Sequence, residues 1–469
     1  MKCGQFHNRL IFLAPDMLQP IDSLRAMLSS WAGSPGDRGV TVGFVPGRIE
    51  VFGRHTDYAG GRTIVCAIDR GFLFAAAPRT DRRIRIREDS AEFAPAEFDL
   101  DPELTPVVGQ WANYPMTMAR RLQRNFHGRL HGVDIVFSST MPVGSGMSGS
   151  SALMMMMYTA IAASNALETA PEFRRSIRSP VDLSVYLACA ENGQSFRDLA
   201  GDRGVGTFGG SEDHAAILNG RAGHVTVFSF SPPELLAEVP WPTDWRMVVA
   251  FSGVRAEKTR EALEKYNMAS RRARDAVAAF NQLSGRSHPT LREVVDHEPK
   301  PSGEGWLGEL DRAAAAAGGM APSLAGRVRQ FMLEDRVHVP GAIEALKAQD
   351  LGRFGRLLSD SHRASKKDLW NIVPEIDWLM ESACELGAAG ASGFGAGFGG
   401  SIFAVTTARR AEALMEGWRG RYRASFPDQA KEADFFIAQP SPGIQLWTES
   451  GPVRYVDTVF SPRSSRRGP

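Results

Sequence analysis

Three absences narrow the reading of this 469-residue chain before any motif is considered. Charge of one sign is not in excess: 54 Lys and Arg stand against 53 Asp and Glu, a net charge of +1. The composition therefore offers no phosphate-neutralising surface of the kind a nucleic-acid binder needs. Cysteine is scarce, and Cys3, Cys66, Cys189 and Cys384 stand at neither paired nor metal-ligand spacing. That excludes a disulfide scaffold and fits a reduced, cytoplasmic setting. Long apolar runs are also lacking. The residues around Leu10 to Leu13 are too interrupted for a secretory segment, and the run through Met154 to Met157 stops at Ser164 and Asn165, short of the ~18 residues of a membrane span. A buried helix and no membrane partner are expected there.

The length exceeds what one core usually holds, so two domains with a cleft between them are expected. Strand-like stretches at Val40–Phe44, Ile49–Phe52, Phe72–Ala77, Arg83–Arg87, Val133–Phe137 and Val225–Phe230 mix with helical patterns at Leu24–Trp31, Trp111–Phe126, Ala152–Ser164 and Pro180–Ala190. Pro232, Pro233, Pro240 and Pro242 mark a boundary, followed by a strand-like Met247–Phe251. Helical patterns then dominate, at Lys258–Leu283, Ser323–Val337, Gly341–Gln349, Leu351–Ser361 and Glu375–Leu386, with Pro340 separating the second from the third. Strands return at Ile402–Val405 and Asp434–Ala438. The chain reads as α+β, divided into 1–240 and 241–458, with a disordered tail at 459–469 that carries Arg463, Arg466 and Arg467.

Four segments carry chemistry. Residues 141–152 set three glycines and four serines between a strand and a helix, as a chain does when backbone amides at a helix N-terminus are to meet an anion. A plain N-capped loop is the alternative. No Gly-Lys-Ser or Gly-Lys-Thr follows, so any phosphate must be held by amides, hydroxyls and a metal. The segment Pro46 to Gly61 packs Arg48, Arg54, His55 and Asp57 after a strand, which makes a polar pocket or a hydrophilic hairpin. Gly206 to His214 places Asp213 ahead of a helix, as a general base or as a first-turn carboxylate. Residues 390–401 hold six glycines in twelve residues, yet Phe394, Phe398 and the apolar Ile402 to Val405 indicate a packed turn into a buried strand and not a linker.

Taken together and in this order, the segments resemble the three motifs of the GHMP small-molecule kinases, and the first resembles the galactokinase branch. Galactokinases have Pro-Gly-Arg, then Gly-Glu-His-Thr-Asp-Tyr; here stand Pro46-Gly47-Arg48 and Gly53-Arg54-His55-Thr56-Asp57-Tyr58. The loop Pro-x-Gly-x-Gly-Leu-Ser-Ser-Ser-Ala is similar to 142–152, and Gly-Ala-Gly-Phe-Gly-Gly is unaltered at 395–400. The resemblance covers residues 40–410.

It implies a two-domain fold, a mixed N-terminal domain like ribosomal S5 domain 2 and a helix-rich ferredoxin-like C-terminal domain, with ATP and a sugar in the cleft between them. Gly144, Ser145, Gly146, Met147, Ser148, Gly149, Ser150 and Ser151 would wrap the phosphates, with Ser150 and Glu191 at Mg²⁺. Asp213 and Arg48 match the catalytic pair. Arg54, His55, Asp57, Tyr266 and Gly210 match the sugar-facing positions. The implied reaction is ATP-dependent phosphorylation of galactose or a galactose-like sugar at its anomeric hydroxyl, by a monomer or weak homodimer. Two alternatives are a uronic-acid kinase and a silent sugar sensor on the same fold.

The departures bear on substrate. Arg54 replaces a family glutamate that contacts a sugar hydroxyl, and a cation there would suit an acidic sugar. Ser392 replaces a basic residue, Gly149 a serine and Met147 a leucine, and residues 193–205 look like an insertion.

Overall fold

The computed structural model of the protein describes residues 18–461 except 33–38, 91–92, 108, 129, 257–259, 298–307, 309–311, 313–322 and the side chains of 18, 260–263, 265 and 266. The C-terminal arginines of the expected tail lie outside this range. Thirteen strands are described, in two sheets. The first is built from β1 (Thr41–Phe52), β2 (Arg62–Pro78), β3 (Arg83–Glu88), β4 (Ala96–Asp99), β5 (Val133–Ser139), β6 (His224–Phe230) and β7 (Pro233–Pro240). The second holds β8 (Trp245–Phe251), β9 (Gly390–Gly393), β10 (Ser401–Thr407) and β11 (Asp434–Ala438). The last strands, β12 (Gln445–Thr448) and β13 (Gly451–Arg454), return to the first sheet, where Gly43 pairs with Leu446. Residues 445–454, which the expected division assigns to the second unit, thus complete the first.

β2 is the spine of the first sheet. Its start pairs with β6 through Arg62 to Val65, its end pairs with β5 through Phe72 to Pro78, and β1 runs antiparallel along its length. The helix Gly149–Asn165 lies against this sheet. It is apolar on every side, which requires burial on every side, and Met154 to Met157 are all fully buried. The second sheet has the order β11-β8-β10-β9, or 4-1-3-2 in chain order, which is the ferredoxin-like arrangement anticipated from the resemblance. Helices Pro374–Glu385 and Ala408–Ser425 cover one face, with Leu379, Trp418 and Tyr422 packed on Val248 and Ile402. The opposite face, through Met247, Val249 and Phe403, joins the core of the first sheet.

The Pro232–Pro242 cluster stands at the end of the first run of strands: Pro233 and Pro240 bracket β7, an edge strand paired only with β6 among the described residues, where a missing donor can face away from the ladder. One reading of proline needs correction: Pro340 does not separate two helices. Helix Leu324–Leu333 passes through a π-turn, Glu334–His338, directly into Val339–Ala348 with Pro340 in its first turn. There a proline's missing N–H costs little, and the wider turn accommodates the ring.

Helix Leu351–Ala364 sits on β9 by backbone contact: a Cβ on Gly355 would lie 2.1 Å from the Ala389 carbonyl oxygen. Neither neighbour is a flexible side chain. Gly355→Ala is therefore expected to push the helix off β9 and to lower stability by about 1–3 kcal/mol, measured by denaturant unfolding; unchanged stability would mean that the contact is not tight.

Candidate active site

β1 brings the first polar residues to the site. Arg48 and Glu50 are two apart and so project from the same face of the strand. Both are buried, at 5% exposure each, and both line a cavity of about 830 Å³. Beyond β1 the chain turns sharply. Thr56 Oγ1 donates to the carbonyls of Gly53 (2.7 Å) and Arg62 (2.8 Å) and closes the turn, and His55 is held at φ 58°. His55 and Asp57 then project into the cavity wall.

The loop reaches the same cavity from the other side, with Gly144, Ser145, Gly146, Ser148, Gly149 and Ser150 in its wall. Gly144 and Gly146 have φ of 70° and 75°, and Ser148, at φ 62°, caps the 149–165 helix. Among the described residues His55, Ser148 and Phe398 (φ 60°) are non-glycine positions in the left-handed region that line the cavity. Strain of this kind collects at functional sites. Ser148 Oγ is buried without a hydrogen-bond partner, although buried hydroxyls are normally bonded. An oxygen-rich ligand in the cavity would supply that partner.

Arg48 joins the parts. Its Nε donates to Asp213 Oδ1 at 2.7 Å and its Nη1 to the Gly146 carbonyl at 2.8 Å, while its amide donates to the Met147 carbonyl at 3.2 Å. Burial opposes the guanidinium charge, but Asp213, Glu212 and Glu50 outweigh it and raise its pKa. Asp213 stands in the first turn of helix Glu212–Asn219 with 31% of its side chain exposed to the cavity, whereas Glu212 is buried. Burial, then Glu50 and Asp57, push Glu212 well above the usual carboxylate range. Of the two neighbours, Asp213 is the accessible one.

Gly210 carries no polar side chain, and its part is steric. A Cβ there would lie 2.1 Å from Asp57 Oδ2, so only glycine lets Asp57 approach. Gly395 to Phe398 close the floor, where the Gly395 amide donates to Glu50 Oε2 at 2.9 Å.

Four expected residues stand outside the cavity wall, among them Met147 and Ser151 of the loop, 0% and 2% exposed. Arg54 is 3% exposed and absent from the cavity wall. Its Nη2 donates to Ser392 Oγ at 2.9 Å, so two of the departures from the galactokinase pattern meet each other behind the site. Glu191 is 4% exposed and also outside the wall; it accepts from Ser151 Oγ at 2.8 Å and stands 3.2 Å from His214 Nε2. Ser150 on the wall and Glu191, bonded to the neighbouring Ser151, are oxygens of the kind a nucleotide-bound Mg²⁺ takes, since that ion needs only one or two protein ligands besides phosphates and water. The side chain of Tyr266 lies outside the described residues.

Other contributors carry no motif. Phe93, Trp111, Tyr114 and Phe137 line the far end of the cavity, with Trp111 5.8 Å from Phe93 and 6.2 Å from Phe137 between ring centroids. Flat rings invite a planar ligand. Asn192 Oδ1 accepts from the Gly209 amide at 3.0 Å and Asn267 Oδ1 from the Phe208 amide at 3.0 Å, fixing the approach to Gly210. The 193–205 segment is packed: Asp202 accepts from Arg120 Nε at 2.8 Å, and the segment delivers Val205 to the cavity.

With this geometry in hand the comparisons are informative. Residues 113–176 match the GHMP kinases N terminal domain, residues 342–424 the GHMP kinases C terminal, and residues 33–78 the galactokinase galactose-binding signature. The chain belongs to the GHMP kinases. Within them it resembles the galactokinase branch: the galactokinase of Lactococcus lactis, solved with galactose, is 25% identical over 90% of this chain and 99% of its own, with a TM-score of 0.72. The mevalonate kinase of Methanococcus jannaschii (14% identical, 85% of this chain and 98% of its own, TM-score 0.53) shares the fold. So does the homoserine kinase of Cytophaga hutchinsonii (17%, 88% and 98%, TM-score 0.50).

Asp57 provides a test of the sugar side. Burial pushes its carboxyl up to about 6; the Tyr58 amide opposes this, and Asp213 and Glu50 reinforce it. Only the ionised form accepts at both oxygens, so kcat/KM for the sugar is expected to rise with pH through about 6, since that ratio reports the free enzyme. The limb should be missing in Asp57→Asn, and a profile flat across that pH in the intact protein would contradict the assignment.

Proposed function

We propose that this protein is an ATP-dependent sugar kinase that transfers the terminal phosphoryl group to the anomeric hydroxyl of galactose or a galactose-like sugar. The observation that carries this reading is the Arg48–Asp213 pair, which stands where the sugar segment and the serine-rich loop meet in one cavity. Phosphoryl transfer asks for positioning and charge stabilisation more than for covalent chemistry. In this reading His55 and Asp57 orient the sugar. Asp213, held in place by Arg48, accepts the proton of the attacking hydroxyl.

The nucleotide lies along the other arm of the cavity. Its phosphates meet the 144–150 loop, where Ser148 Oγ lacks a partner in the protein, and its base meets Trp111 and Tyr114. ATP arrives as its Mg²⁺ complex, which lowers the charge on the transferred group. In this reading Ser150 and Glu191, which accepts from the adjacent Ser151 Oγ at 2.8 Å, would hold that ion. A uronic-acid substrate is not favoured, because Arg54 faces Ser392 and not the cavity. A silent sensor would have no use for Asp213 on the wall.

Release of ADP over a panel of hexoses, uronic acids and amino sugars, with the product's phosphate located by phosphorus NMR, tests the reading. Turnover of a neutral hexose is expected, falling about 10²–10⁴-fold in Asp213→Ala while sugar binding persists. Sugar binding by the intact protein without turnover of any panel member would sink the kinase and leave the sensor.

A further inference from the structure

Sugar-facing side chains cannot be better placed than the backbone that carries them, and the turn after β1 meets a strand only at its end, where Gly61 and Arg62 join β6. Besides its own internal bonds, its main chain is bonded at four points to one helix. The Glu334 carboxylate accepts from the Gly53 amide at 2.9 Å. Gln330 Nε2 donates to the Arg54 carbonyl at 2.9 Å, and Arg327 Nη2 to the His55 carbonyl at 2.5 Å. Asp335 Oδ1 accepts from the Arg62 amide at 2.9 Å. All four side chains are fully buried, and none lines the cavity.

Their spacing explains how one element does this. Positions 327, 330 and 334 follow one another at three and four residues, which is one face of a helix. Adjacent residues on an α-helix point apart, so Glu334 and Asp335 together would not both reach the turn from a regular helix. The π-turn over Glu334–His338 begins at this pair, and such turns recur at functional sites. Buried charges are costly unless bonded, and these are: Glu334 also accepts from Ser361 Oγ at 2.5 Å and lies 3.0 Å from His338 Nδ1, while Asp335 accepts from Arg292 Nη1 at 3.0 Å. A helix needed only for packing would carry apolar side chains on this face.

We infer that Arg327, Gln330, Glu334 and Asp335 are positioning residues that set the 53–62 turn and so govern sugar recognition from outside the cavity. The inference rests on the proposed function only in assigning the turn to the sugar; the bonds themselves do not depend on it. Gln330→Met keeps the size and removes both the donor to Arg54 and the Oε1 that accepts from Arg327 Nη1 at 2.7 Å, whereas Glu334→Gln keeps an acceptor for Gly53. In Gln330→Met the sugar KM is expected to rise about tenfold or more, the consequence of two lost buried bonds, with the nucleotide KM unchanged. Amide hydrogen exchange should accelerate at 53–62 and not at 144–150, and Glu334→Gln should stay closer to the intact protein in both respects. Sugar and nucleotide parameters falling together in step with a lowered Tm would overturn the inference, as would unchanged exchange at 53–62. Should Gln330→Met fail to fold, the exchange at 53–62 in Glu334→Gln decides, since a small rise confined to that turn supports the assignment and a general rise refutes it. If the intact protein turns over no sugar, the proposed function fails while the exchange measurement still decides this one.

Discussion

One guanidinium holds the site together. Arg48 sits on β1, beside the spine of the first sheet, yet it bonds to the carboxylate of Asp213 on one side and to the loop carbonyl of Gly146 on the other. Remove it and β1, the loop and the 212–219 helix lose the group they share. A lysine offers a point charge and cannot reproduce that forked reach. The whole arrangement is possible because Arg48 is buried while its acidic neighbours keep it charged.

Concentrating so much charge in one place has a structural cost that the rest of the molecule offsets. Glu50, Arg54, Glu212, Glu334 and Asp335 are all 5% exposed or less, and each finds partners from a distant part of the chain. Arg54 with Ser392 and Glu50 with Gly395 tie the sugar turn to the 390–400 segment. The second sheet and its helices are thereby more than a lid on the first. They supply the outer layer of contacts that keeps the cavity wall in a strained but single conformation, seen in the left-handed backbone at His55, Ser148 and Phe398.

The parts legible in the sequence are those where chemistry is local. Segments 46–61, 142–152 and 395–400 each concentrate glycine and polar residues, and each reaches the cavity. The ferredoxin-like second unit also follows the resemblance. The supports were not legible, because their partners lie far away: Glu334 is 281 positions from Gly53, and in a helical stretch a polar residue looks like solvated surface. Phe93, Trp111 and Tyr114 converge only in three dimensions. β7 hid behind its prolines, and β12 and β13 form a short hairpin joined to the sheet only through β1, at the other end of the chain. Arg54 misled for a related reason, since the sequence shows which residue stands in a turn but not which way it faces.

The central claim is that Arg48 and Asp213 act as one unit, and a double-mutant cycle on kcat/KM tests it most directly. Groups that act as a unit are strongly non-additive. Arg48→Lys, Asp213→Asn and the double variant should therefore lose about the same activity. Losses that multiply, so that the double variant is worse by the product of the two single effects, would mean that the two residues contribute independently and that the pair is not the centre of the site.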